Sequence, residues 1–290
     1  MQLLDGRYLS KIIKGEIAEE VNILRQNGRK IPNLAAVLIG DNPASSAYVK
    51  SKIKSCEEVG FESTMIKRDT SISEAELLEI VDKLNKDDDI DGFIVQLPLP
   101  PHIDELKITM AINPDKDVDG FHPLNFGKLA QGLPCFIPAT PLGILLMLER
   151  YNIPTAGKKC VVVGRSNIVG TPMSILMSRK GKVGDCTVTL THSRTNNIEK
   201  ECLEADILIA AIGKPHFIKE NMVKDGAVVI DVGINRIEDA LSPKGSKIVG
   251  DVDFDNVAPK CSYITPVPGG VGLMTVTCLM LNTLKAAKEK

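Results

Sequence analysis

The sequence predicts an α/β protein of two domains: an N-terminal α/β domain and a Rossmann-like, doubly wound parallel sheet. Three observations predict it. A chain of 290 residues is long for one core and suits two. Apolar runs of strand length alternate with helix-length segments, the order that a parallel sheet covered by helices requires. One of those runs, ending at Val163, leads straight into Gly164, the strand-to-glycine junction of doubly wound folds.

The elements follow in order. Residues 9–25 carry Ile12, Ile13, Ile17, Val21 and Leu24 at helical spacing, a stripe for one buried face. Residues 34–39 are a short apolar run, hence a buried strand, and end in a turn at Gly40, Asp41, Asn42 and Pro43. A helix over 45–59 is closed by Gly60, and a second over 73–84 opens with Ser73 and Glu76 in capping-box spacing. A strand over 92–97 is ended by Pro98, Pro100 and Pro101. After Thr140 and Pro141 start a helix, strands are expected at 159–163, 186–190, 207–211 and 227–232. No repeat or low-complexity linker intervenes. The boundary falls near residue 140, which gives 1–140 to the N-terminal domain and 141–272 to the Rossmann-like one. The last helix, within 273–290, is expected to pack back on the first domain, with the active-site cleft between the two.

Composition narrows the function. The chain is 43% hydrophobic and 25% charged, an ordinary globular balance. A formal net charge of −2 provides no field for nucleic acid or an anionic membrane, so neither is an expected partner. Residues 1–7 lack the basic and apolar regions of a signal peptide, and no apolar run is long enough to span a bilayer. Seven scattered cysteines without a C-x-x-C pair suit reduced thiols in the cytoplasm. Four histidines, none paired at ligand spacing, argue against a metal site.

Six places carry candidate chemistry. The turn from Gly164 to Gly170 could admit a pyrophosphate to backbone N–H groups, although it lacks the full G-x-G-x-x-G spacing and reads equally as a tight turn. After the next strand comes His192-Ser193-Arg194-Thr195 rather than the carboxylate of an NAD site. With Arg165 it forms a rim suited to the 2′-phosphate of NADP, or else two cations on a solvated turn. Tyr48 and Lys52, at i and i+4, share one helix face, a spacing also common on plain surfaces. Gln96 lies where a strand ends and a crevice can open, and its amide could reach the lysine or a substrate. Asp119, in a charged loop of the kind usually solvated, could accept two hydrogen bonds from an aminopyrimidine edge. The run from Ile264 to Val276 holds prolines and glycines that would bring main chain up to a flat ligand or form an interdomain turn.

Together these segments resemble the bifunctional methylenetetrahydrofolate dehydrogenase/cyclohydrolase family over almost the whole chain. The most specific pieces are Tyr48-Val49-Lys50-Ser51-Lys52, Val95-Gln96-Leu97-Pro98-Leu99, Lys116-Asp117-Val118-Asp119-Gly120, Gly164-Arg165-Ser166 and the run from Pro266 to Gly272. The resemblance implies NADP-dependent oxidation of 5,10-methylenetetrahydrofolate and hydrolysis of the product to 10-formyltetrahydrofolate. It implies Lys52 as the catalytic lysine, Gln96 as its orienting partner, Tyr48 against the aminobenzoyl ring and Asp119 on the pterin. Val95, Leu97, Pro268, Gly269 and Gly270 would line the folate site; Gly164, Arg165, Ser166, Ser193 and Ile234 would contact NADP. It further implies a cytoplasmic homodimer with tetrahydrofolate derivatives as ligands and a place in purine biosynthesis. Competing readings are another two-domain NADP dehydrogenase, for a hydroxy acid or a shikimate-like substrate, and a non-catalytic dinucleotide sensor.

Overall fold

A computed structural model describes residues 1–239 and 245–289. In chain order the first half comprises β1 (Gln2–Leu3), α1 (Gly6–Gln26), β2 (Asn33–Ile39), α2 (Pro43–Val59), β3 (Glu62–Arg68), α3 (Glu74–Lys86) and β4 (Gly92–Val95), then α4 (Glu105–Ala111) and α5 (Pro123–Gln131). The second half comprises α6 (Ala139–Arg150), β5 (Lys159–Val163), α7 (Gly170–Ser178), β6 (Thr187–Thr191), α8 (Ile198–Leu203), β7 (Ile207–Ala210) and β8 (Val228–Asp231). It ends with β9 (Asn235–Glu238), β10 (Ser246–Val249), α9 (Phe254–Val257), β11 (Tyr263–Ile264) and α10 (Val271–Lys288).

The chain divides into two compact units. One gathers Met1–Ser10 and Thr140–Thr275, the other Lys11–Ala139 and Val276–Lys290. Residues 1–10 thus group away from the segment that follows them. The cause is β1, which pairs with β11 through Gln2↔Tyr263 and Leu3↔Ile264 and extends the larger sheet.

The smaller unit is built on a parallel sheet of order β3-β2-β4. β2 is buried along its whole length, as its apolar run requires, and sits between its two neighbours. Ala35, Val37, Phe93 and Val95 pack with Leu77 and Val81 of α3. α3 carries the expected capping box: Ser73 Oγ accepts from the Glu76 N–H and the Glu76 carboxylate accepts from the Ser73 N–H. α2 starts at Pro43, two residues before the sequence-based start, because Asn42 caps it through the N–H groups of Ala44 and Ser45. The far part of α10 belongs here. Asn282 Nδ2 donates to the carbonyls of Val118 (2.8 Å) and Ile137 (3.0 Å), and Lys285 Nζ donates to that of Cys135.

The larger unit holds a six-stranded sheet of order β1-β11-β8-β7-β5-β6, with every pair parallel. From β5 the chain winds to β6 on one side and then to β7, β8 and β11 on the other. The order therefore reverses at β5, and a crevice opens beyond its C-terminal end. Val163, the last residue of β5, is in register with Thr191 of β6 and Ala210 of β7. β9 and β10 form a separate antiparallel ribbon. Among the described residues no helix is long and apolar enough to cross a membrane.

Candidate active site

The smaller unit brings together three of the predicted site residues. Tyr48, Lys52 and Cys56 recur every four residues along α2, so they share a face that passes from solvent into the core. Tyr48 is 42% exposed and Cys56 is fully buried. Lys52 lies between them with its side chain 11% exposed. Gln96 is the first residue after β4, which stops at Val95 rather than continuing to residue 97. Its N–H still donates to the Val37 carbonyl, as though the strand ran on. Its side chain is held at both ends: Nε2 donates to the Leu97 carbonyl at 2.8 Å, and Oε1 accepts from Lys52 Nζ at 3.3 Å. Asp119 Oδ2 lies 3.9 Å from the same Nζ. One amine thus faces one amide oxygen and one carboxylate, in a half-buried spot where a proton carrier can be oriented.

The loop that presents Asp119 is not the solvated charged loop its composition suggests. Lys116 and Asp117 are buried. Lys116 Nζ donates to the carbonyls of Leu84 and Asp87, while Asp117 accepts from the N–H groups of Phe121 and His122 and from Asn125 Nδ2. Burial, with a contribution from nearby Asp119, pushes the Asp117 carboxyl up to about 6. Asp117 is a loop support that composition hides. Its backbone bridges in parallel to Phe93, a pairing that no local sequence signal announces.

Other assignments divide by burial. The Tyr48 phenol is raised by partial burial and its ring edge stays open to solvent. Cys56 is pushed up to about 12 by burial, which removes it as a nucleophile. Val95 faces the core with Phe93, so only its main chain is available to a ligand, whereas Leu97 is half-buried at the edge of that core.

The larger unit holds the glycine turn at the end of β5. Gly164 has φ +112°, and a Cβ there would come 2.1 Å from the Ala211 carbonyl oxygen. A Cβ on Gly170 would meet the Gly164 carbonyl oxygen at 1.9 Å. Both positions demand glycine, and the turn is tight because α7 must start immediately beneath the strand. Ser166 closes it, its Oγ accepting from the N–H groups of Val169 (3.2 Å) and Gly170 (3.4 Å). Arg165 is exposed. On the neighbouring strand the Thr191 carbonyl accepts from the Gly164 N–H, so the next turn follows at the same level. There Thr195 Oγ1 accepts from the His192 N–H, and Ser193 and Arg194 point outward. No carboxylate stands at this strand end.

Ile234, 47% exposed, follows β8. A Cβ on Gly272 would lie 3.2 Å from its Cδ1, so the Pro266–Gly272 run passes beside it. In that run the Gly269 carbonyl accepts from the Arg7 N–H, and a Cβ on Gly6 would strike the Gly270 carbonyl. Pro268, Gly269 and Gly270 therefore lie in the larger unit, while Tyr48, Val95 and Leu97 lie in the smaller.

A glycine turn at a topological switch point in one unit and an oriented lysine in the other are the features expected of one class, the two-domain α/β enzymes that work with a nicotinamide cofactor. Comparison with known proteins makes this specific. Residues 4–119 match the family model for the tetrahydrofolate dehydrogenase/cyclohydrolase catalytic domain, and residues 138–290 match its NAD(P)-binding domain. A bifunctional protein FolD from Flavobacterium johnsoniae is 60% identical over 290 residues, covering 100% of this chain and 98% of that one. The crystal structure of a bifunctional methylenetetrahydrofolate dehydrogenase/cyclohydrolase from Campylobacter jejuni superposes with a TM-score of 0.94 at 47% identity, covering 100% and 99%. A dehydrogenase-cyclohydrolase from Trypanosoma brucei, complexed with NADP cofactor and inhibitor, gives 0.93 at 35% identity, covering 98% and 96%. The chain belongs to the tetrahydrofolate dehydrogenase/cyclohydrolase family and is a bifunctional enzyme with an NAD(P)-binding domain. That membership displaces the hydroxy-acid, shikimate-like and sensor readings.

Proposed function

We propose that this enzyme oxidises 5,10-methylenetetrahydrofolate with NADP⁺ and hydrolyses the resulting methenyl cation to 10-formyltetrahydrofolate, with Lys52 managing protons in the hydrolysis. The observation that carries the assignment is the placement of Lys52 Nζ, 3.3 Å from Gln96 Oε1 and 3.9 Å from Asp119 Oδ2. The methenyl carbon already bears positive charge, so water attacks it once a base takes a proton. An amine oriented by two oxygen acceptors can take that proton and return it to the ring nitrogen that departs as its bond to this carbon breaks, the carbon staying on the other nitrogen as the formyl group. The hydroxyl proton leaves to solvent as the formyl carbonyl forms. Asp119, with one oxygen toward Lys52, keeps the other for the aminopyrimidine edge of the pterin. The open Tyr48 ring offers a flat surface to the aminobenzoyl group.

The residues at the end of β5 fit NADP. The Gly164 turn lies at the switch point, Ser193, Arg165 and Arg194 are exposed, and no carboxylate follows β6 to repel a 2′-phosphate. When bound, the cofactor supplies the hydride acceptor for the methylene carbon. Gly164 and Ser166 would hold its pyrophosphate, Arg165 and Ser193 the 2′-phosphate, and Ile234 the nicotinamide end. Pro268, Gly269 and Gly270 would complete the folate contacts. Seven cysteines, none in a disulfide among the described residues, support a cytoplasmic enzyme. Family membership supports a homodimer and a role in supplying purine biosynthesis.

The test is NADP⁺ reduction by purified protein given 5,10-methylenetetrahydrofolate, followed by the decay of added methenyltetrahydrofolate. Turnover in both assays is expected. Folded protein inactive in both would overturn the proposal.

A further inference from the structure

The sequence holds two Asp-Val pairs flanked by glycine, Asp231-Val232-Gly233 and Gly250-Asp251-Val252, that the assignments above leave unused. The structure interlocks them. Asp231, buried at the end of β8, accepts from the N–H groups of Gly233, Asp251 and Val252, all at 2.9 Å. Asp251 is fully buried and accepts four hydrogen bonds: from the N–H groups of Ile212 (2.7 Å), Gly213 (2.9 Å) and Lys214 (3.0 Å), and from Asn235 Nδ2 (2.8 Å). Both glycines are required by the carboxylates. A Cβ on Gly250 would sit 1.8 Å from Asp231 Oδ2, and one on Gly233 would sit 2.3 Å from Asp251 Oδ1.

What Asp251 grips matters. The loop at 211–214 follows β7, and its Ala211 carbonyl is the group against which Gly164 packs without a side chain. Asn235, the first residue of β9, follows Ile234. One carboxylate thereby ties the loop beside the glycine turn to the residue that follows Ile234, and it cannot touch a ligand itself because it is sealed from solvent. Three consecutive N–H groups turned onto a single anion leave the loop little freedom. We infer that Asp251 is a positioning residue for the dinucleotide: it sets the loops at 211–214 and 233–235 into the shape that the cofactor meets, with Asp231 holding Asp251 in turn. The inference rests on the reading of the Gly164 turn and Ile234 as the cofactor site.

Asp251→Asn keeps the shape of the side chain but turns an acceptor into a donor facing N–H groups. Asn235→Ala removes one donor and leaves the loop at 211–214 clamped. The measurement is NADPH affinity by cofactor fluorescence, beside cyclohydrolase turnover and thermal stability, with Arg165→Ala as reference. Asp251→Asn should weaken NADPH by about tenfold or more and Asn235→Ala by about threefold, from one lost charge-assisted bond. Cyclohydrolase turnover should stay within about twofold, which a general loss of fold would not allow. If Asp251→Asn does not fold, Asn235→Ala decides. NADPH affinity unchanged in the folded variants while Arg165→Ala loses it overturns the inference. Affinity unchanged in Arg165→Ala as well overturns the cofactor site beneath it.

Discussion

The two units solve the same problem, presenting polar groups at the ends of parallel strands, with opposite materials. In the six-stranded unit the Gly164 turn is shaped by main chain. Gly164 and Gly170 admit no Cβ, Ser166 is occupied in closing the loop, and Asp251 is spent on backbone N–H groups. In the three-stranded unit the site is made of side chains, with Lys52, Gln96 and Asp119 meeting over distances of 3.3 and 3.9 Å. On the proposed reading, a cofactor common to many enzymes would be met by a backbone shape, whereas a particular reaction would need a particular amine. Substitutions should therefore act differently in the two places, through conformation in one and through chemistry in the other.

The sharpest way to break this contrast is Lys52→Met. Loss of a proton carrier should lower cyclohydrolase turnover by about 10²–10⁴-fold, with NADPH affinity and thermal stability unchanged. Decay of methenyltetrahydrofolate absorbance reads it, and full hydrolytic activity would remove Lys52 from the mechanism. Gly164→Ala is the counterpart in the other unit. A methyl 2.1 Å from the Ala211 carbonyl at φ +112° forces the turn apart, at a cost of about 1–3 kcal/mol. It should abolish measurable NADPH binding and lower the melting temperature, unlike Lys52→Met. Retained NADPH affinity would mean that the turn does not carry the cofactor.

The same contrast explains what the sequence made legible. β2, β4, β5, β7 and β8 are buried on both faces and read as apolar runs, and the Ser73 capping box and Gly60 stop are local signals that survive in the structure. β3 was invisible because it is the edge strand of its sheet. Its residues from Glu62 to Arg68 are mostly exposed and polar, and only pairing with β2 identifies them. The β9–β10 ribbon is hidden for the same reason, and α4 and α5 are too short for a periodic stripe. At the site, the residue types and the i, i+4 spacing of Tyr48 and Lys52 could be read. That Lys52 meets Gln96, 44 positions away, depends on β2 and β4 lying side by side, which no local pattern encodes. Asp117 and Asp251 were missed because most of their partners are backbone N–H groups, which every sequence offers everywhere.

A smaller effect sharpens the account of the six-stranded unit. Arg165→Ala should weaken NADP by about tenfold, as one charge-assisted contact to a phosphate is lost, and should leave NAD nearly untouched. Paired affinity measurements decide it, since equal losses would place the 2′-phosphate elsewhere.

The effect most remote from turnover concerns Asp117, the carboxylate beneath the side-chain site. Burial raises it to about 6 in the folded protein, against about 3.9 in an unfolded chain. Between those values the folded state holds the extra proton, so stability must fall as pH rises. The stabilising contribution is complete below the unfolded value, declines through the window up to about 6, and is gone above it. Asp117→Asn cannot titrate. Its own cost, from an amide facing the N–H groups of Phe121 and His122, is a constant offset. Urea unfolding of both proteins from pH 4.5 to 8 should show wild type losing stability relative to Asp117→Asn by about 2 kcal/mol, with the difference flat above pH 7. Parallel curves would show that hydrogen bonds from Asn125, His122 and Phe121 fully offset the burial. Asp117 would then be a hydrogen-bonded anchor, like Asp251 in the other unit, and the two supports would differ only in what they hold.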